Sequence, residues 1–152
     1  MTMRDIKKGE RIHEEIISSG LLESDVVLGT SLVGMYTKCG LLEKAQKVLE
    51  DLPARDVVSW NTMIGAYVDH GHDKQALELL DEMQDAKMHL NHVTFICGLK
   101  ACRNAKELKR GQELHAEIAR EGYDAGFNNV ESTLIDMYVK CGSIVEARDM
   151  FD

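Results

Sequence analysis

The sequence predicts an all-α protein, an α-solenoid of stacked helix-turn-helix repeats. Three observations lead there. Segments of the chain recur at a fixed displacement, apolar residues keep helical spacing within each recurrence, and a single proline stands among 152 residues. Proline usually makes up about 5% of a chain and marks the many turns of a β-sandwich or barrel, so its scarcity points to helices.

The recurrence is the strongest of the three. Met35-Tyr36-Thr37-Lys38-Cys39-Gly40 returns as Met137-Tyr138-Val139-Lys140-Cys141-Gly142, and Ile12-His13-Glu14-Glu15-Ile16 as Leu114-His115-Ala116-Glu117-Ile118, both displaced by 102 residues. Smaller steps of 31, 35 and 36 residues close on the same displacement. The first carries Leu32, Val33, Tyr36, Gly40 and Ala45 onto Met63, Ile64, Tyr67, Gly71 and Ala76; the second carries Ile64 and Ala66 onto Leu99 and Ala101; the third carries Leu99 onto Ile135. Tandem units of this length signify helical hairpins that stack, each burying its apolar face on its neighbours.

Each element follows from that pattern. Asp5 to Ser19 matches Glu107 to Glu121 and so reads as the second helix of a unit. The next unit places a helix before Gly40 and another after it. Between Val57 and Asn91, Trp60, Met63, Ile64 and Tyr67 keep helical spacing, and Gly71 closes the helix as a C-cap. Ala76, Leu77, Leu79, Leu80 and Met83 form the apolar stripe of its partner. A further unit turns through Asn104-Ala105-Lys106 without glycine, and the last turns at Gly142 and stops short of a complete second helix. Neither end carries the polar face that terminates a solenoid, so the chain is expected to be a piece of a longer array. Trp60, Met35, Met63, Met83 and Met137 fall on apolar faces and are expected in the core.

Composition narrows the function. The apolar share is 44% and the net charge −8, suiting a soluble packed protein and opposing an indiscriminate nucleic-acid or membrane binder, which needs clustered Lys and Arg. Much of the acid falls on second helices, at Glu43, Glu50, Asp51, Glu78, Asp81, Glu82, Glu113 and Glu117, which are expected to form the outer wall. The N-terminal segment lacks an apolar signal core and is too acidic for a transit peptide, and no stretch reaches the ~20 apolar residues of a membrane span. Cys39, Cys97, Cys102 and Cys141 form no C-x-x-C pair and read as reduced thiols. No four ligands have zinc spacing. His13 and His115 occupy equivalent sites, with a packing or helix-surface role expected. No nucleotide loop, H-E-x-x-H, G-x-S-x-G or deaminase signature appears, so no enzyme, metal or other cofactor is implied.

The wording of the units now matters. Asp56-Val57-Val58-Ser59-Trp60-Asn61-Thr62-Met63-Ile64, Ala76-Leu77-Glu78-Leu79-Leu80-Asp81-Glu82-Met83, Met35-Tyr36-Thr37-Lys38-Cys39-Gly40 and Leu99-Lys100-Ala101-Cys102 closely resemble plant pentatricopeptide repeats. The alternating unit lengths resemble the PLS subclass, in which standard, long and short repeats succeed one another. The resemblance divides the chain into the tail of a long repeat (1–25), a short repeat (26–56), a standard repeat (57–91), a long repeat (92–127) and a partial short repeat (128–152). It implies a right-handed superhelix and sequence-specific binding of single-stranded RNA in a mitochondrion or chloroplast, as a specificity factor for C-to-U editing alongside editing-factor proteins.

In such repeats one unit reads one base with two or three side chains. The resemblance assigns the base edge to Thr30 with Asp56, to Asn61 with Asn91, and to Ser132 in the last unit. The first pair implies G, and the two amides imply a pyrimidine, C before U. Val27, Val58 and Val93 match the position that stacks on base faces, where Asn129 departs. Lys38 and Lys140 match a phosphate-facing position, where Asp69 and Asn104 do not. In the long repeat the early residue is Ile96, with Gly126 or Phe127 at the end, and Ile96 cannot hydrogen-bond a base.

By residue type alone, Thr30, Asp56, Asn61 and Asn91 also suit helix caps and turns, the valines suit a core, and the two lysines suit helix C-termini. A tetratricopeptide-like scaffold for protein partners is the rival function. Trp60, Ile64 and Tyr67 only partly mimic its W-x₂-L-G-x₂-Y signature. Self-association through uncapped ends is a second rival.

Overall fold

The structure is a computed structural model that describes residues 3–19, 26–52, 55–122 and 129–151. Every regular element among these residues is an α-helix: α1 (Met3–Ser19), α2 (Val26–Lys38), α3 (Leu42–Asp51), α4 (Val57–Asp69), α5 (Asp73–Asp85), α6 (His92–Ala105), α7 (Leu108–Glu121), α8 (Val130–Lys140) and α9 (Ile144–Phe151). The chain divides into two compact units, residues 1–66 and 67–152. Each is described by itself.

In the first unit α2 packs along α3, joined by a tight turn. Gly40 adopts φ +76°, so its own N–H reaches the Thr37 carbonyl and the Leu41 N–H reaches Tyr36. That is the double closure a left-handed residue permits at a helix C-terminus. Leu32, Val33 and Tyr36 of α2 and Ala45, Val48 and Leu49 of α3 are buried, spaced at three and four residues as a helix–helix seam requires. Trp60, Met63 and Ile64 of α4 are also buried.

In the second unit α6 packs against α5, α7 and α8, and α8 against α9. Gly71 and Gly142 repeat the closure of Gly40, with φ of +79° and +83°. The turn after α6 has the same hydrogen bonds but no glycine. Lys106 itself takes φ +58°, and the Lys106 and Glu107 N–H groups bond Arg103 and Cys102. A β-carbon in this conformation costs roughly 1–2 kcal/mol, and the Lys106 Nζ recovers part of it by donating to the Lys140 carbonyl at 2.7 Å. Leu80, Met83, Phe95, Leu99, Ile118, Leu134 and Met137 are fully enclosed.

Two expectations need adjusting. Met35 is half-buried rather than a core residue, unlike Met63, Met83 and Met137. Glu117 is drawn half inside, where its carboxylate accepts from Gln84 Nε2 at 3.0 Å; the other seven acids expected on the second-helix surface are exposed. Gly126 and Phe127 lie outside the described residues. None of the described helices is long and apolar enough to cross a membrane.

Candidate nucleic-acid interface

A residue and the one three places on share a helix face, so the early positions of each first helix come in pairs. On α2 the pair is Val27 and Thr30; on α4 it is Val58 and Asn61; on α6 it is Val93 and Ile96. The valines are 72%, 55% and 40% exposed, although large apolar side chains in both units are otherwise mostly enclosed. The first helix of each of three repeats thus leaves a branched apolar group exposed at the same position.

The polar members differ. Thr30 is half-buried and Asn61 is 8% exposed. Thr62 and Ser31 return their hydroxyls to the Val58 and Val27 carbonyls at 2.7 and 2.9 Å, which turns those hydroxyls toward their own helices. Beside Asn61, the Trp60 ring is enclosed with its Nε1–H unbonded, and the Arg55 guanidinium lies 5.1 Å from the ring centroid.

The two unit-terminal residues cap the helices that follow them. Asp56 Oδ1 accepts from the Ser59 N–H at 2.8 Å. Asn91 Oδ1 accepts from the Thr94 N–H at 3.2 Å, while Thr94 Oγ1 accepts from the Asn91 N–H, completing a capping box. Both geometries satisfy helix N–H groups that lack an intrahelical partner. Capping therefore occupies one oxygen of each side chain. It also fixes both side chains at the entry to the helix whose first turn carries the next exposed valine.

In the last unit Asn129 takes φ +61° ahead of α8, and its carbonyl receives the Ser132 and Thr133 hydroxyls at 3.1 and 2.8 Å. Ser132 is exposed. Lys38 and Lys140 are exposed in the last turns of α2 and α8, where a cation also favours the helix dipole.

Around Lys140 the structure adds what the residue pattern missed. Arg103, Asn104, Lys106, Asp136 and Lys140 line one open recess. Arg103 Nη1 bonds Asp136 at 2.7 Å, and Asn104 Nδ2 bonds Asp73 at 3.0 Å. Three cations thus share the recess with one carboxylate, Asp136, and Asn104 ties the turn after α6 to the start of α5. The signal was present in the sequence as Arg103 and Lys106 flanking the one position compared across units. Among the described residues no three His, Cys, Asp or Glu groups are placed to hold a metal ion. Burial pushes the Cys102 thiol up to about 12 and raises Cys97 and Cys141 as well, which disfavours the thiolate at all three.

Comparison with known proteins decides the family. The PPR repeat family model matches residues 55–104, and the PPR repeat model matches residues 30–57 and 132–152, together more than half of the chain. The chain belongs to the pentatricopeptide repeat family. An Arabidopsis thaliana pentatricopeptide repeat-containing protein named as chloroplastic is 40% identical over 144 residues, 95% of this chain and 23% of that protein. Another from Arabidopsis thaliana, named as mitochondrial, is 38% identical over 149 residues, 98% of this chain and 23% of that protein. The chain thus spans about a fifth of the length of the curated relatives it matches.

Among solved structures, the pentatricopeptide repeat protein PPR10 from maize aligns with a TM-score of 0.72 at 20% identity, over 93% of this chain and 20% of that one. PPR10 in complex with an 18-nucleotide psaJ RNA element aligns with a TM-score of 0.68 at 26% identity, over 95% and 22%. The likeness places the pentatricopeptide repeat chain described here in the α-solenoid fold class.

Proposed function

We propose that this chain binds single-stranded RNA in a mitochondrion or chloroplast, one base per repeat, within a PLS-type array that specifies a site for C-to-U editing. The observation that carries the reading is the exposed valine repeated on α2, α4 and α6, on α2 and α4 three residues before Thr30 and Asn61, the early residues assigned to base edges. Apolar β-branched groups spaced by one repeat supply faces for successive bases, and the Thr30/Asp56 and Asn61/Asn91 pairs supply hydrogen-bonding edges for G and for C before U. Relatives named as chloroplastic and mitochondrial, and a neighbour solved with RNA, support both the ligand and the compartment.

The chemistry of editing falls to a partner protein or to a part of the protein outside these residues. Exposed Val139, Ile144 and Val145 near the end of the last unit favour self-association as an accompanying behaviour, and sedimentation at increasing concentration measures it.

The test is a gel-shift comparison at fixed salt on two RNAs that differ only in C or U at the second read base. Asn91→Asp keeps an N-cap of equal quality and so leaves α6 in place. It is expected to move the preference from C toward U, and an unchanged preference overturns the readout assignment.

A further inference from the structure

Two of the junctions between successive repeats are built from the same parts. Gly9 of α1 faces Met35 of α2, and 102 residues later Gly111 of α7 faces Met137 of α8. A β-carbon on Gly111 would stand 2.5 Å from the Met137 sulfur and 2.6 Å from its methyl, and one on Gly9 would overlap the Met35 sulfur in the same way. His13 Nδ1 and Tyr36 Oη lie 2.8 Å apart, as His115 Nδ1 and Tyr138 Oη lie 2.7 Å apart, with both ring pairs edge-on at 5.5 Å. A third rung is kept with its chemistry changed. Lys44 donates to Glu10 at one junction, whereas Gln112 donates to Glu146 at the other.

The remaining second helices carry a different set. The position of Gly111, whose N–H closes the first backbone bond of its helix, is Ala45 in α3 and Ala76 in α5. Four residues on, the position of His13 and His115 is Leu49 and Leu80. The first helices that follow have Ala66 and Ala101 where Met35 and Met137 stand. All four alanines are buried. A large side chain thus follows glycine and a small one follows alanine, while the histidine appears only ahead of a Met-Tyr helix.

We propose that these sets are keys. A second helix with a Gly-x-x-x-His face accepts a Met-Tyr first helix as its neighbour, one with an Ala-x-x-x-Leu face accepts a first helix with Ala, and the match fixes which repeat types stack stably side by side. The wrong pairing is penalised from both sides. Met beside an alanine wall must shift its flexible end, since a β-carbon there would stand under 3 Å from its sulfur and methyl. Tyr36 or Tyr138 facing leucine would lose its imidazole partner, whereas Tyr67, which follows Leu49 in the sequence, meets the His72 ring edge-on at 6.3 Å instead. Alanine against a glycine wall leaves a void, and the histidine nitrogen loses its partner. Discrimination by misfit of the alternative is how specific pairing is achieved where both choices are apolar helices. The proposal concerns repeat stacking and stands or falls separately from RNA reading.

Exchange of half-keys in the full 152-residue chain tests it. One variant carries Gly111→Ala with His115→Leu, a second carries Met137→Ala with Tyr138→Cys, and a third carries all four. Urea unfolding and amide hydrogen exchange in α7 and α8 read the junction. Each half-exchange is expected to lower the folded-to-unfolded ratio, and the fourfold variant is expected to lose about tenfold less than the product of the two, as coupled residues in contact do. Losses that simply multiply overturn the proposal. If a half-exchange does not fold, the milder cycle of His115→Leu and Tyr138→Phe decides: a coupling of about fivefold or more supports the key, and independent effects overturn it.

Discussion

His115 Nδ1 lies 2.7 Å from Tyr138 Oη, and His13 meets Tyr36 at 2.8 Å with nearly the same ring angle, 67° against 68°. Each pair joins a second helix to the first helix of the next repeat, so an imidazole is spent on holding neighbours together rather than on chemistry. Burial raises both tyrosine hydroxyls above their ordinary range, which keeps them protonated and able to donate.

The His13 junction makes stability depend on pH. Burial lowers the His13 pKa below its ordinary 6.5, against the opposing influence of Asp51, Glu14 and Glu10 and with a small contribution from Lys44. The unfolded chain therefore binds the proton more readily than the folded one, and stability rises with pH in this window. The contribution is complete above about pH 6.5 and is lost as pH falls through the lower folded value. Urea midpoints measured from pH 5.5 to 7.5 should rise, and His13→Leu should flatten the rise.

Asp56 separates capping from base reading. Its carboxylate accepts the Ser59 N–H at 2.8 Å, and Asn caps a helix as well as Asp does. Asp56→Ala is expected to cost about 1 kcal/mol of stability, measured by urea unfolding. Asp56→Asn should stay within about 0.5 kcal/mol of the parent yet lose preference for G at the first read base in the gel-shift assay, because with one oxygen held by the cap the amide presents an N–H₂ donor to guanine where the carboxylate presents its second acceptor oxygen.

The helices and the glycine turns were legible because periodicity and left-handed glycine are local signals: Gly40, Gly71 and Gly142 all close as their spacing predicts. The Lys106 turn was legible only as a turn, since nothing in Asn104-Ala105-Lys106 says which residue takes positive φ. The candidate site was legible through family resemblance alone. Residue types by themselves favoured capping for Asp56 and Asn91, and the capping bonds are present. The junction contacts were hidden for another reason. Gly111 and Met137 are conspicuous only once two helices meet, although the displacement of 102 residues that relates them to Gly9 and Met35 is present in the sequence.

Lys87 is a place where stability is left unused. It holds φ +61° after α5, with its N–H on Gln84 and the Met88 N–H on Met83, and its side chain is exposed. Glycine occupies this region without the β-carbon penalty but adds freedom to the unfolded chain, so the two effects partly offset. Lys87→Gly should stabilise by about 0.5–1 kcal/mol, seen as a higher urea midpoint with an unchanged slope.

The net charge of −8 sets the form that the proposed RNA binding takes. An acidic chain gains little from a diffuse field, so affinity must come from a few placed cations and from contacts to bases. Lys38 and Lys140 are the exposed pair at the phosphate-matching position. If each neutralises one phosphate, the logarithm of the binding constant falls against the logarithm of salt with a slope of about −0.7 per contact on single strands. Lys38→Ala and Lys140→Ala should each make the slope shallower by about 0.7 and weaken binding to all sequences alike. Val58→Ala should instead lower affinity several-fold at every salt concentration, leaving the slope unchanged. A lysine variant with an unaltered slope removes that residue from the phosphate path. For Lys140 the outcome also speaks to Arg103 and Lys106, which line the same recess and would then carry the contact in its place.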